Sequence, residues 1–176
     1  MSIPAAIYAI DASHSEVAFS IRHAGIAKVR GRFTEFTGEI VVAEDLAASR
    51  ASAVIEASSV DTGNAQRDGH LQSSDFFSVE AQPQWSFTST SITGAQDEFT
   101  LAGELTINGT TKPVEIDVEY NGTNVDAYGV TRVGFSGTTE IAREDFGITW
   151  NAPLEAGGFL LGDKVKIFLE ISATKA

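Results

Sequence analysis

Apolar and polar residues alternate along most of the chain. Between residues 15 and 24, Val17, Phe19 and Ile21 share one face and Ser20 and Arg22 the other. Between 99 and 107, Phe99, Leu101, Gly103, Leu105 and Ile107 oppose Thr100, Glu104 and Thr106. The pattern returns with Val114, Ile116, Val118 and Tyr120 against Glu115, Asp117 and Glu119, and near the C-terminus with Val165, Ile167, Leu169 and Ile171 inward. A period of two is that of a strand with one face covered. Further strands are predicted in GRFTEFTGEIVV, ASAVIEASSV, QWSFTSTSI and AYGVTRVGFSGTTEI, about eight in all, with a short lead-in at IYAID.

Within GRFTEFTGEIVV the apolar set moves from odd to even numbers, with Phe33 before and Phe36, Ile40 and Val42 after. One extra residue near Thr34 or Glu35, bending the strand, accounts for the shift. Asn108-Gly109 and Asn121-Gly122 supply the positive φ of tight hairpin turns and are both predicted as turns. The same NGT triplets match a glycosylation acceptor, a reading set aside because no secretion signal precedes them. Two stretches resist a strand. GNAQRDGHLQSSDFF offers Asn64 as a helix cap, Ser74 as a second cap and Pro83 as a stop, and AREDFGITW has room for one turn. About eight antiparallel strands with one apolar face are enough to close into a barrel, its interior either filled or just wide enough for one ligand. A chain of 176 residues suits one such domain, 1–176.

Composition narrows the function. The apolar fraction of 43% and charged fraction of 20% are those of a globular protein, and no run approaches the roughly 18 apolar residues needed to cross a bilayer. The start, MSIPAAIYAIDASHSEV, has no Lys or Arg ahead of a hydrophobic run and fails as a secretory signal, so a cytoplasmic location is expected. A net charge of −12, from 24 acidic against 12 basic residues, repels phosphate backbones, so no nucleic-acid partner is expected. The absence of Cys excludes disulfides, thiolate metal sites and Cys nucleophiles.

Chemical motifs are few. His14, His23 and His70 lie far apart without metal-ligand spacing, and neither a nucleophile elbow nor a glycine-rich phosphate loop occurs. Asp68, Asp75, Glu144 and Asp145 could pair for acid and base work, although with 24 acids such pairs arise by chance. Glycines on predicted strands, at Gly31, Gly38, Gly103, Gly129 and Gly134, remove side-chain volume and make room for a ligand.

The run TGNAQRDGHLQSSDFF, followed by Pro83 and by Phe87 in WSF, resembles the signature of the YceI-like family, also called polyisoprenoid-binding proteins. The likeness extends through DASHSEVAFSIRHAGIAKVRGRFTEFTGEI, GELTINGTTKPVEI, REDFGI and GDKVKIFLEI in matching order and spacing, across nearly the whole chain. The resemblance implies an all-β fold, a closed antiparallel, lipocalin-like barrel capped by one or two short helical turns. Its elongated apolar pocket would hold a long-chain amphiphile such as a polyisoprenoid, an isoprenoid quinone or a fatty amide. It also implies a carrier or storage protein, not an enzyme, and some members form homodimers; separately, with no metal-ligand spacing and no phosphate loop in the chain, neither a metal nor a cofactor is expected.

The residues expected to line that pocket are Phe19, Ile21 and His23, Phe33 and Phe36, Trp85 and Phe87, Leu101 and Leu105, Ile116 and Val118, Phe135, and Ile167 and Leu169. His23 is either a satisfied polar group near a strand end or a contact to a ligand's polar head. The signature stretch reads as a structural cap or gate, with Leu71, Phe76 and Phe77 against the barrel's end and Arg67, Asp68, His70 and Asp75 pairing with one another or with loop carbonyls. Two alternatives stay open: a filled barrel serving as an interaction module, and an enzyme acting on such a lipid through His23, His70 and Asp68.

Overall fold

The computed structural model describes residues 2–176. Eleven strand segments are β1 (Ala6–Ile10), β2 (Glu16–His23), β3 (Ala27–Phe33), β4 (Phe36–Val42), β5 (Arg50–Glu56), β6 (Val60–Asp61), β7 (Gln84–Gly94), β8 (Glu98–Ile107), β9 (Thr110–Val125), β10 (Thr131–Ala142) and β11 (Leu161–Lys175). One helix, α1 (Ala65–Gln72), separates β6 from β7. Six of the segments are halves of three bent strands. β1 and β2 lie end to end along one edge of β11, Ile10 opposite Ala173 and Val17 opposite Leu169. β3 and β4 continue along β2 and β1, and β5 and β6 along β4 and β3. With β7 to β11 they form a closed eight-stranded antiparallel barrel in up-and-down order, as the alternation predicts.

The bends are where the ladder fails and side chains complete it. Between β1 and β2 a single 3-10 turn, Ala12–His14, lifts the chain off β11. Ser15 fills the gap: its hydroxyl accepts from Ser172 N–H at 2.9 Å and donates to Ser172 C=O at 3.1 Å. The bend predicted at Thr34 or Glu35 is present, since β3 ends at Phe33 and β4 begins at Phe36. Opposite it, the 3-10 turn Ala57–Ser59 brings Ser59 to donate to Glu56 C=O at 2.7 Å and to accept from Glu35 N–H at 3.1 Å.

Three local expectations are corrected. Asn108-Gly109 does turn the β8–β9 hairpin, with φ of 52° and 76°. Asn121-Gly122 does not turn: β9 runs straight through it, and Asn121 is the extra residue of a bulge between pairs Gly122–Gly134 and Tyr120–Phe135. The β9–β10 turn lies further on, where Asp126 Oδ1 accepts from the N–H groups of Tyr128 and Val130, so Gly129 belongs to a turn and not to a strand. Ser74 caps no second helix; α1 ends at Gln72, Ser73 is its C-cap, and residues 74–77 form turns.

Gly31 and Gly103 make room for neighbours more than for a ligand. A Cβ on Gly31 would stand 2.4 Å from the tip of the Phe19 ring, and one on Gly103 at 2.4 Å from the Phe87 ring and 2.6 Å from Thr88 C=O. Aromatic rings thus lie over the glycine of the adjacent strand and fill what the missing side chain leaves.

Asp11, at the first bend, is the electrostatic tie of the seam. Its carboxylate accepts from Ser13 N–H and Oγ, from His14 Nδ1 and from Arg132 Nη1 of β10 at 2.8 Å. The Ser13 hydroxyl first, then Arg132 and His14, hold it well below the usual carboxylate range. A depressed carboxyl stabilises the fold above its unfolded value, near pH 4, and that contribution is lost as pH falls toward the folded value.

Two outcomes follow. Ser15→Ala strands the Ser172 N–H and is expected to cost about 1–3 kcal/mol in a urea melt. Asp11→Asn is expected to flatten the dependence of stability on pH below about 4 relative to the wild type; parallel acid limbs in the two proteins would contradict it.

Candidate functional site

The barrel encloses a cavity of about 390 Å³, within the roughly 300–1,000 Å³ usual for small-molecule pockets. Its wall comes from the inward positions of the alternating strands: Val17, Phe19 and Ile21 on β2, Leu101 and Leu105 on β8, Ile116 and Val118 on β9, Ile167 and Leu169 on β11. The structure brings to this one space all fourteen residues named as its lining, His23, Phe33, Phe36, Trp85, Phe87 and Phe135 included. The filled-barrel alternative fails on this geometry.

One end of the barrel is closed by a tight cluster in which Tyr8, Val133 and Ala173 are buried together with Ile3, Val42, Tyr120 and Phe135. Tyr8 donates to Pro4 C=O at 2.8 Å, and burial, with Tyr120 beside it, pushes its phenol pKa up. The other end carries the β2–β3 turn, the β6–β7 connection with α1, and the segment from 143 to 160 that joins β10 to β11.

Polar bonds fix α1 there, because the helix has no fully buried residue of its own. Asn64 Oδ1 accepts from Arg67 N–H at 2.9 Å and caps its start. Thr62 then clamps it: Arg67 donates to Thr62 Oγ1 at 2.7 Å and to Thr62 C=O at 2.8 Å, while Asp68 Oδ1 accepts from Thr62 N–H at 2.9 Å and from its hydroxyl at 2.5 Å. Asp68 therefore faces Thr62 and does not line the cavity, which removes it from the triad of the enzyme alternative. His70 Nε2 meets Asp75 Oδ2 at 2.8 Å.

Beyond the helix the chain folds back into the barrel mouth. Phe77 N–H donates to Leu71 C=O, and Phe76 and Phe77 are buried. Phe77 sets its edge on Trp85 at 4.8 Å between ring centroids, Phe33 lies 4.7 Å from Trp85, and Phe19 follows at 5.7 Å from Phe33. A second set joins the cap to the opposite wall: His70 is edge-on to Phe76 at 5.0 Å and to Trp150 at 4.8 Å. Arg67, His70, Leu71, Phe76 and Phe77 line the cavity; Asp68 and Asp75 do not.

Sequence reasoning misses the second strap. Arg143 opens the predicted turn, Arg143–Phe146, and is buried. It donates through Nε to Gly162 C=O at 2.9 Å and through Nη1 to Ile148 and Trp150 C=O at 3.1 and 3.0 Å. Burial pushes its pKa down, with Asp163 and Glu144 opposing. Asn151 closes the next stretch, donating to Leu161 C=O and accepting from Leu161 N–H. The alternation of Phe146, Ile148 and Trp150 is the signal in the chain that this strap faces inward.

Among the described residues no Asp or Glu lines the cavity; its ionisable lining is His23, Arg50, Arg67, His70 and Arg143. Trp85 Nε1 is the one buried side-chain polar atom among the described residues without a partner. Among them, too, no three His, Asp or Glu converge as a metal would require, and no helix is long and apolar enough to cross a membrane.

Comparison with known proteins agrees with this architecture. The family model of the YceI-like domain matches residues 8–173. Protein YceI of Salmonella arizonae is 40% identical over 151 residues, covering 84% of this chain and 79% of the relative. The crystal structure of Burkholderia cenocepacia BcnA superposes with a TM-score of 0.82 at 22% identity, over 94% of this chain and 99% of that one. A polyisoprenoid-binding domain from Saccharophagus degradans, implicated in plant cell wall breakdown, superposes with a TM-score of 0.73 at 16% identity, over 98% and 100%. At those identities the two structures speak for the fold.

Phe77→Asp would bury a carboxylate among Phe33, Trp85 and Leu71, and a loss of about 3–5 kcal/mol in chemical denaturation is expected. A Phe77→Asp protein that melts with the wild type would show that the cap is not part of the core.

Proposed function

Because the chain belongs to the YceI-like family, we infer that it binds a long-chain amphiphilic lipid inside the barrel and stores or carries it without altering it chemically. The class meant spans polyisoprenoids, isoprenoid quinones and fatty amides. The observation that carries this reading is the cavity itself, an apolar space within a barrel of a size that side chains ordinarily fill. An apolar cavity of that volume is a cost unless something occupies it, since its lining forfeits packing contacts.

The energetics need no elaborate recognition. Each buried methylene contributes about 0.8 kcal/mol, so a dozen give roughly 10 kcal/mol, enough to outweigh the ordering of one flexible chain. Specificity is then left to the length of the space and to the few polar groups of its wall. Trp85 supplies one of them. Its unpartnered N–H would gain an acceptor from a carbonyl or hydroxyl on the guest.

The reading is tested by purifying the protein without added lipid, extracting it with organic solvent and comparing native with denaturing mass spectra. A co-purifying long-chain lipid and a rise in melting temperature with added long-chain isoprenoids are expected. Leu169→Trp, which fills the wall between β2 and β10, is expected to weaken binding of a fluorescent long-chain probe at least about tenfold with little change in melting. A protein that carries no lipid and is not stabilised by any long-chain probe would end this reading.

A further inference from the structure

The charges of this chain are sorted on its surface. Asp and Glu outnumber Lys and Arg by 24 to 12, yet neither acid occurs between Val17 and Thr34, the stretch that makes β2, its turn and β3. That hairpin carries Arg22, Lys28, Arg30 and Arg32, and the adjoining β11 adds Lys164 and Lys166. Half of the chain's Lys and Arg thus stand on three neighbouring strands, all of them exposed.

The fold gains little from this arrangement. Arg22 lies directly opposite Lys28, and Arg30 and Lys166 flank Ser20 from either side. Like charges facing across an antiparallel pair repel. Arg32 is paired, with Asp61 at 3.6 Å, whereas Arg22, Lys28, Arg30, Lys164 and Lys166 make no ion pair among the described residues. Even Glu140, opposite Lys166 on β10, does not reach it. The cations are left to meet something outside the molecule.

The same corner carries exposed apolar side chains. Ile26, in the β2–β3 turn, is 87% exposed, and Phe159, just ahead of β11, is 63% exposed. Their loops are joined where Ala24 N–H donates to Leu160 C=O at 2.6 Å. His23 and Leu160, on either side of that bond, line the cavity. Apolar side chains bordered by unpaired cations, at the rim of an apolar space, suit a surface that is apolar within and anionic outside.

We propose that this corner, the β2–β3 hairpin with the start of β11, docks on a lipid bilayer bearing anionic head groups. Ile26 and Phe159 enter the interfacial layer, and Arg22, Lys28, Arg30 and Lys164 lie over the phosphates. The proposal takes its purpose, though not its geometry, from the lipid-binding reading: a long-chain lipid is scarcely present in free water, so a carrier has to meet it at a lipid surface. The net charge of −12 does not forbid the contact. Glu115, Asp117 and Glu119 stand on β9, three strands round the barrel from β2. At about 4.8 Å per strand they lie beyond the roughly 8 Å over which charge is felt at physiological salt.

The test floats the intact protein with vesicles of phosphatidylcholine, alone or with about one-third phosphatidylglycerol. Binding to the anionic vesicles alone is expected, falling steeply between about 0.05 and 0.5 M salt. Arg22→Gln with Lys28→Gln is expected to weaken it at least about tenfold without lowering the melting temperature, because it removes a facing pair of like charges. Lys112→Gln with Lys175→Gln, the same change of net charge elsewhere, is expected to change it less than about twofold, and Phe159→Ser to weaken it at least about threefold. Equal binding to both vesicles, or an Arg22 and Lys28 double variant that still binds, overturns the proposal. Binding to soluble polyglutamate as tight as to vesicles would assign the face to an acidic protein, and a dimer dispersed by the double variant would assign it to a second copy; either result also overturns it. Failure to bind any vesicle overturns the docking surface alone, since uptake of a long-chain probe in solution is measured separately.

Discussion

A closed sheet has no edge, so every backbone donor and acceptor along its strands must find a partner on the next strand or on a side chain standing in for one. That requirement shapes the rest of this molecule. Three of the eight strands bend, and at two bends a serine hydroxyl takes up what the ladder drops: Ser15 serves both groups of Ser172, and Ser59 ties Glu35 to Glu56. The bends bring the strands round a circle wide enough that Phe19, Phe87 and Leu169 point into it and still leave a cavity between them. The cavity is thus a product of closure, and the chemistry of the wall is decided by which residues fall on inward positions.

Closure also separates two kinds of surface that the bulk composition blends. The acidic residues lie outside the cavity wall, where Glu115, Asp117 and Glu119 alternate with buried partners on β9. The inward face is apolar along the staves and basic mainly near the cap. A net charge of −12 therefore says nothing about what the interior meets. Polar bonds of the α1 clamp hold the cap, and aromatic edges pack it against the wall, so its grip on the barrel is spread over Thr62, His70, Phe76, Phe77 and Trp150.

Much of this is legible in the sequence, for a physical reason. A strand with one covered face writes its period directly into the residue order, so the alternation alone places Phe99 to Ile107 and Val114 to Tyr120 on the inside. The parity change between Phe33 and Phe36 announces a real bend. Asn121-Gly122 misleads because positive φ is equally at home in a hairpin turn and in a bulge; the choice belongs to the partner residues Gly134 and Phe135, which local sequence does not show. Gly31 and Gly103 look like room for a guest along their own strands, while the rings that use the room, Phe19 and Phe87, sit on adjacent ones. Arg143 is visible only as the first letter of a motif. Its burial depends on carbonyls of Ile148, Trp150 and Gly162 meeting around it, a convergence that no spacing rule encodes.

The order of the staves carries one more consequence, for how the chain gets there. Each ladder joins neighbours in sequence except the last, which sets β1 and β2 against β11 across almost the full length of the chain. The neighbour ladders need only short loops to close, whereas this one must overcome the entropy of a very long loop at once. Before it forms, the molecule is an open meander with two bare edges and its whole apolar face in water, the species most prone to aggregate. Folding speed and solubility during folding therefore hang on the pairing of Tyr8 with Lys175 and its continuation through Val17 and Leu169, a zipper whose success is decided at the far ends of the chain.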